Sequence, residues 1–177
     1  QGTHPEPVDQ SALNWLTQEA VLPAEFGYFL HTTWRMHPDL CRAVSEHSYG
    51  GRLTAHPCTS ERAMTDAHGH HVATGVVVQG LDHHGNSVTS AAEAATVAAL
   101  AGETLTWQWQ ETPDKPARPM TSDDVLIVAP YNAQVDLIRK TLDSQGLSGF
   151  RVGTVDKFQR QQAPVVIVSM TASSHDD

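Results

Sequence analysis

Apolar runs alternate with amphipathic stretches along this chain, and the alternation predicts an α/β fold built on a parallel sheet with flanking helices. Phe26–Thr33 is a mixed apolar run of strand character, and Thr74–Leu81 (Thr-Gly-Val-Val-Val-Gln-Gly-Leu) reads as a buried strand. Asp124–Ala129 and Pro164–Met170 are continuously apolar, as buried parallel strands are, and Arg151–Val155 is a shorter strand between them. His37-Pro38-Asp39 opens a helix with proline at its first position, where the missing N–H costs nothing. Leu40, Val44 and His47 follow at helical spacing until Gly50-Gly51 stops the helix. Ser90-Ala91-Ala92-Glu93 has the form of a capping box, in which hydroxyl and carboxylate satisfy opposing free amides; it opens an alanine-rich helix that Gly102 ends. Pro130-Tyr131-Asn132 turns the chain into a third helix, with Val135, Ile138 and Leu142 on one face and Gly146 as its stop.

The remaining segments read as connections. Gln1–Pro7 is a polar linker entering a short helix near Ser11–Thr17. Residues 54–72 carry histidines and prolines without a period and predict an irregular loop. His83-His84-Gly85-Asn86 is turn chemistry, and Glu111–Ser122, with three prolines, is a second loop.

Composition narrows the picture. The 177 residues amount to one domain, and 40% hydrophobic against 18% charged residues marks it as globular. No apolar run approaches the ~20 residues of a membrane helix, so no membrane partner is expected. The start has neither an initiator methionine nor a signal peptide, which suggests a processed or engineered fragment. Cys41 and Cys58 lack CxxC spacing and fit a reduced, cytoplasmic setting, as small core or surface residues. The net charge of −9 has the wrong sign for a free-standing nucleic-acid binder, so strand contacts would rest on a local patch, on backbone amides and hydroxyls, or on a neighbouring domain. The clusters His68, His70, His71 and His83, His84 sit in turn-like contexts with no cysteine or carboxylate at ligand spacing; they read as solvated loops, and no metal site is expected.

Three segments could carry chemistry. In Trp34-Arg35-Met36-His37-Pro38, an aromatic and an arginine precede a helix start; an indole can stack on a base, and a guanidinium offers a planar fork to phosphate oxygens. The plain alternative is a core tryptophan beside a solvated charge. In Ala129-Pro130-Tyr131-Asn132-Ala133-Gln134, polar groups lie at the carboxyl end of a strand, where ligands meet parallel sheets; the alternative is a capped turn with a buried tyrosine. In Thr154-Val155-Asp156-Lys157-Phe158-Gln159-Arg160-Gln161-Gln162, Thr154 and backbone amides could bind phosphate without net basic charge; the alternative is a solvated loop with Phe158 turned inward.

In order and spacing these segments resemble superfamily-1B helicases, the group that includes the nonsense-mediated-decay RNA helicase and the replication nuclease-helicase. Trp34-Arg35-Met36-His37-Pro38 resembles motif IV in its Tyr-Arg-Met-His-Pro form, Pro130 to Gln134 resembles the Pro-Tyr-x-x-Gln segment that follows it, and Thr154 to Gln159 with the strand Val165–Met170 is similar to motif V. The resemblance covers nearly the whole chain. It implies a second RecA-like motor domain over residues 1–177, ending before motif VI. In this role Arg35 would reach the ATP γ-phosphate as an arginine finger, worth ~10³–10⁵ in rate in related hydrolases. Trp34, where the family has tyrosine, would stack on adenine. Pro130, Tyr131, Asn132, Gln134, Thr154, Val155 and Lys157 would lie near single-stranded DNA or RNA. Implied partners are an N-terminal RecA-like lobe of the same parent chain and, in bacterial relatives, a RecB-like nuclease domain; ATP and Mg²⁺ would serve the intact parent and not bind this piece alone.

The chain departs from the pattern in two places. Motif V continues Gln-Gly-Gln-Glu in the family, whereas Gln159 is followed by Arg160, Gln161 and Gln162. Arg160 stands where glycine allows positive φ, and Gln162, at the position of a ribose-binding glutamate, keeps hydrogen bonding but loses charge. The chain also has no Gly-x-x-x-x-Gly-Lys-Ser/Thr phosphate loop. The expected function is therefore one motor lobe of an ATP-dependent DNA helicase or translocase, inactive alone; the alternative is a degenerate nucleic-acid-binding or scaffold domain.

Overall fold

A computed structural model describes residues 27–82 and 85–171. The linker at Gln1–Pro7, the helix near Ser11–Thr17, Phe26, and His83 and His84 lie outside the described residues. The chain divides into two compact units, the first formed by Gln1–Arg62 with Ala73–Val77 and the second by Ala63–Val72 with Val78–Asp177.

The first unit is a small parallel β-α-β arrangement. Strand β1 (Thr32–Thr33) pairs with β2 (Thr54–Ala55), with Thr33 opposite Ala55, and helix α1 (Pro38–Ser48) runs between them. Proline occupies the first turn of α1, and the His37 ring accepts from the Asp39 amide at 3.3 Å, so the histidine itself caps the helix. Its other end stops at Gly50 and Gly51, both at positive φ, with the Gly51 amide closing on the Ser45 carbonyl at 2.9 Å. Ser45 Oγ accepts from the Leu53 amide at 2.9 Å, which feeds the chain into β2. The apolar run expected over Phe26–Thr33 is strand only at its last two residues. The region expected to be one loop, 54–72, instead holds β2, a short 3-10 turn at Pro57–Glu61 and β3 (Ala63–Thr65).

The second unit carries two sheets. β3 pairs antiparallel with β4 (Gln108–Gln110), and β4 with β5 (Arg118–Pro119). The loop expected at Glu111–Ser122 therefore contributes an edge strand, placed where a proline needs no ladder donor. The main sheet has the order β7-β6-β8, all parallel, from β6 (Val125–Val128), β7 (Arg151–Gly153) and β8 (Val165–Val168). Helices α2 (Ala91–Thr104) and α3 (Asn132–Ser144) supply Ala94, Val97, Ala98, Ala101, Val135, Ile138 and Leu142 to one core with Val125, Ile127 and Val152. The α/β class with a parallel sheet and packed helices is as the sequence indicates.

Three expected elements differ. Thr74–Leu81 forms no strand: Val76, Val77 and Val78 are 65%, 71% and 86% exposed, and no described strand pairs with them. Three consecutive valines satisfy an apolar pattern, yet without a partner their backbone groups would go unpaired in a core, so they stay at the surface. Pro164–Met170 is not buried on both faces either. Val165 and Ile167 pack on the helix side, while Val166, Val168 and Met170 are exposed. The capping box at Ser90 is half formed: Ser90 Oγ accepts from the Glu93 amide at 3.2 Å, but the Ser90 amide donates to Gln134 Oε1 at 2.8 Å, and the Glu93 carboxylate accepts from Ser169 and Thr171. Gly102 lies inside α2, where its missing side chain leaves room for Leu147, 3.3 Å from where a Cβ would sit.

Candidate functional site

In the first unit the candidate residues leave the carboxyl ends of β1 and β2. Trp34 and Arg35 follow β1 directly and both are exposed, Trp34 by 62%. Thr33 Oγ1 accepts from the Arg35 amide at 3.2 Å. Among the described residues no hydrogen bond or ion pair occupies the Arg35 guanidinium. Two further residues stand at this place without any motif to announce them. His56, the residue after β2, stacks on Trp34 with ring centroids 3.3 Å apart and planes at 16°. Arg62 donates to the carbonyls of Arg35 at 2.6 Å and Trp34 at 3.1 Å. Neither belongs to a motif; strand register alone could have indicated His56, once β2 was recognised.

In the second unit, parallel pairing brings the carboxyl ends of β6 and β7 together. Pro130, Tyr131 and Asn132 follow β6 and are exposed, Tyr131 by 42%. Thr154 and Val155 follow β7, with Val155 66% exposed. The Ala129 amide donates to the Gly153 carbonyl at 3.1 Å, tying the two turns side by side. These residues form one polar edge of the kind at which parallel sheets receive ligands. Lys157 lies on the 3-10 turn Val155–Phe158, and its ammonium donates back to the Val152 carbonyl at 3.2 Å. Gly153 permits this close return, since a Cβ there would stand 2.5 Å from Lys157 Cδ. Phe158 is buried and turned inward, while Val155, Asp156 and Lys157 beside it are exposed.

Two candidates lie elsewhere. Gln134 is fully buried; its amide group accepts from the Ser90 amide and donates to the Ser90 carbonyl at 3.1 Å and to Ser169 Oγ at 3.0 Å. Ser169 Oγ in turn donates to the Glu93 carboxylate at 2.5 Å, which also accepts from the Thr171 amide at 3.0 and 3.1 Å. Gln134 thus ties α3 to the start of α2 and the end of β8, and presents nothing to a strand on the surface. Gln162 is exposed three residues ahead of Val165, toward the amino ends of the strands, so the structure does not bring it to the Tyr131–Thr154 edge. Arg160 adopts φ 66°, the left-handed conformation that glycine takes more readily.

The histidines at 68 and 70 are exposed in a tight turn whose amides both donate to Asp66 Oδ1, at 2.8 and 2.9 Å, and His71 forms an isolated bridge with Thr65. Those amide bonds, the His70 one foremost, hold the Asp66 carboxyl below its usual range. No group of three or more histidine, cysteine, aspartate or glutamate side chains fit to hold a metal occurs among the described residues. Cys41 is buried and Cys58 half-buried, both as free thiols. No helix of the described residues is long and apolar enough to cross a membrane.

Comparison with known proteins gives these features a family. Residues 8–177 match the family described as an AAA domain. The chain is 30% identical over 152 residues to the DNA-binding protein SMUBP-2 of Rattus norvegicus, a match that takes in 82% of this chain and 15% of the relative. It is 38% identical over 55 residues to the DNA polymerase alpha-associated DNA helicase A of Schizosaccharomyces pombe, covering 31% of this chain and 8% of that one. It is 27% identical over 145 residues to the 3'-5' exoribonuclease HELZ2 of Mus musculus, covering 79% and 5%. The chain therefore spans a small part of the curated relatives it matches. With the family model matching nearly its full length, and with helicases among its relatives, the chain belongs to the AAA domain family and is a superfamily-1 helicase-like domain.

Proposed function

We propose that this chain is the second RecA-like motor lobe of an ATP-dependent DNA helicase or translocase. The observation that carries the reading is the Trp34–Arg35 pair at the carboxyl end of β1: an exposed indole beside a guanidinium with no partner among the described residues. An arginine kept free of carboxylates is suited to an oligophosphate, and an open indole face to a base. Trp34 stacks on the adenine of ATP, and Arg35 stabilises the charge that develops on the γ-phosphate during hydrolysis. The Tyr131, Asn132, Thr154 and Val155 edge contacts one strand of nucleic acid through hydroxyl, amide and aromatic groups. The relatives include a DNA-binding protein and a DNA helicase as well as an RNA helicase and an exoribonuclease, so the choice of DNA rests on the bacterial form of the motifs. The lobe acts with an N-terminal RecA-like lobe of the same parent, which supplies the phosphate loop. The metal that accompanies ATP would be held with the phosphates by the N-terminal lobe, as the resemblance implies. The parent would also carry a RecB-like nuclease domain, as the resemblance to bacterial relatives implies.

A degenerate binding or scaffold lobe is the second reading, favoured by Arg160 at φ 66° and by the net charge of −9. ATP hydrolysis by the full-length protein, with and without single-stranded DNA, separates the two. Stimulation by DNA, and a fall of at least ~10³-fold in Arg35→Ala, is the result expected of the motor. A folded parent that hydrolyses no ATP leaves the scaffold.

A further inference from the structure

We propose that His56 and Arg62 are positioning residues for the nucleotide pair, His56 as a fixed platform beneath the Trp34 indole and Arg62 as a clamp on the backbone of Trp34 and Arg35. The inference rests on the reading that Trp34 stacks on the base of ATP and Arg35 meets its phosphates.

Strand register creates the platform. Thr33 lies opposite Ala55 in the parallel β1–β2 pair, and the His56 amide donates to the Thr33 carbonyl at 2.8 Å. The next residues of both strands therefore leave the sheet side by side, and their rings meet at 3.3 Å between centroids. His56 cannot turn freely beneath the indole. Its Nδ1 accepts from the Cys58 amide at 3.3 Å and faces Cys58 Sγ at 3.0 Å, which fixes the imidazole plane. That plane in turn fixes the indole, which nevertheless remains 62% exposed and so keeps a face for a base. A base arriving there meets an aromatic surface already ordered and adds a third layer to the stack, without the cost of arresting a mobile side chain.

Arg62 acts on the same two residues through their carbonyls. Its planar fork spans the Trp34 and Arg35 oxygens with one nitrogen each, a contact that a lysine ammonium, a single point donor, would not reproduce. The segment carrying Arg35 is thus held from three sides, by Thr33 Oγ1, Arg62 and the stack on His56. A guanidinium that must meet a transferring phosphoryl group gains from such an anchor, because small displacements at the reacting centre cost rate steeply.

His56 also caps the 3-10 turn at Pro57–Glu61, and this allows a platform to be told from a cap. In the full-length protein, His56→Asn keeps a capping oxygen and removes the ring, whereas His56→Phe keeps the ring and removes the cap. ATPase rates give KM and kcat, with Trp34→Ala and Arg35→Ala as references and an unfolding curve for each variant. We expect His56→Asn, which loses the stacking ring, to raise KM for ATP roughly fivefold with kcat within about twofold, and His56→Phe, which keeps the ring but not the Nδ1 contacts that orient it, to raise KM by less, about twofold. Arg62→Lys should lower kcat roughly tenfold, because Arg35 loses its anchor while charge is retained. The opposite order, Asn normal and Phe defective, would show His56 to be a cap alone and overturn the platform; an unchanged kcat in Arg62→Lys would overturn the clamp. If Trp34→Ala leaves KM and Arg35→Ala leaves kcat unchanged, the nucleotide reading fails, and the inference fails with it for that separate reason.

Discussion

Arg160 shows what a single backbone angle reveals. Its φ of 66° places an L-residue where the Cβ crowds the neighbouring carbonyl, at a cost of roughly 1–2 kcal/mol. Its side chain is exposed, so little packing offsets that strain. Arg160→Gly should therefore stabilise the protein by up to about 1 kcal/mol, after allowance for the greater freedom of glycine when unfolded. A urea unfolding curve would register this as a higher midpoint at unchanged slope. A lower midpoint would mean that the arginine side chain contributes more than its backbone strain costs. Gln134 makes the contrasting case. Read from its motif it is a surface contact to nucleic acid, yet it is fully buried and its amide serves Ser90 and Ser169. A buried amide with three partners must be kept for the same reason a ligand contact would be, since its loss strands buried polar groups. Motif spacing therefore identified Gln134 as special without indicating whether it serves the strand or the core.

Elements in this chain hold where a side chain ties a turn to a strand. Arg118 forms a bidentate pair with Asp124 at 2.6 and 2.7 Å, joining β5 to the turn that launches β6, and Asp124 also accepts from the Thr121 amide at 2.9 Å. The Arg118 guanidinium, opposed by burial and helped by Thr121, lowers the Asp124 carboxyl to about 2. Because the folded value lies below the unfolded one, this carboxylate contributes its stability fully above about pH 4. The contribution is lost as pH falls from there toward 2. It amounts to roughly 1–2 kcal/mol, since Asp124 is buried while Arg118 is half exposed. Unfolding by urea at successive pH values should show the decline in the wild type and a flatter profile in Asp124→Asn. An equally steep decline in the variant would assign the acid sensitivity to other carboxylates. These elements were unevenly legible in the sequence. The helices α1, α2 and α3 and the strands β6 to β8 declare themselves through period and caps; α2, α3 and the three strands turn apolar residues to the core, whereas α1 buries Cys41 and Ser45 and leaves Leu40 and Val44 half-buried and His47 exposed. β4 is hidden because Gln108-Trp109-Gln110 offers one apolar residue, and its ladder comes from β3 and β5. Thr74–Leu81 errs in the other direction, since pattern registers hydrophobicity but not the lack of a strand to pair with. The platform at His56 depends on the register of two-residue strands, which no periodicity reveals.

At the scale of the whole molecule, charge sets how this lobe can hold a nucleic-acid strand. Eleven lysines and arginines face twenty aspartates and glutamates, so the long-range field repels phosphate. The candidate edge reflects this, since Tyr131, Asn132, Thr154 and Val155 offer hydroxyl, amide and aromatic groups and no cation. Lys157 is the exception, and its ammonium is turned toward the Val152 carbonyl and the Phe158 ring. Binding through such groups releases few counterions, whereas each neutralised phosphate on a single strand adds about 0.7 to the salt slope. If this edge holds the strand, the isolated chain should bind a labelled single-stranded oligonucleotide weakly, with a slope of log affinity against log salt no steeper than about −1. Tyr131→Ala should weaken that binding by roughly 1–3 kcal/mol without altering the slope, because stacking carries no counterion term. Fluorescence anisotropy across a salt series measures both quantities together. A slope of several units would require a basic surface that these residues do not form, and would move the strand site off this edge. A shallow slope that Tyr131→Ala leaves at full affinity would instead place the contact on backbone amides around Thr154, the other group at this edge that can hold phosphate without a net positive charge.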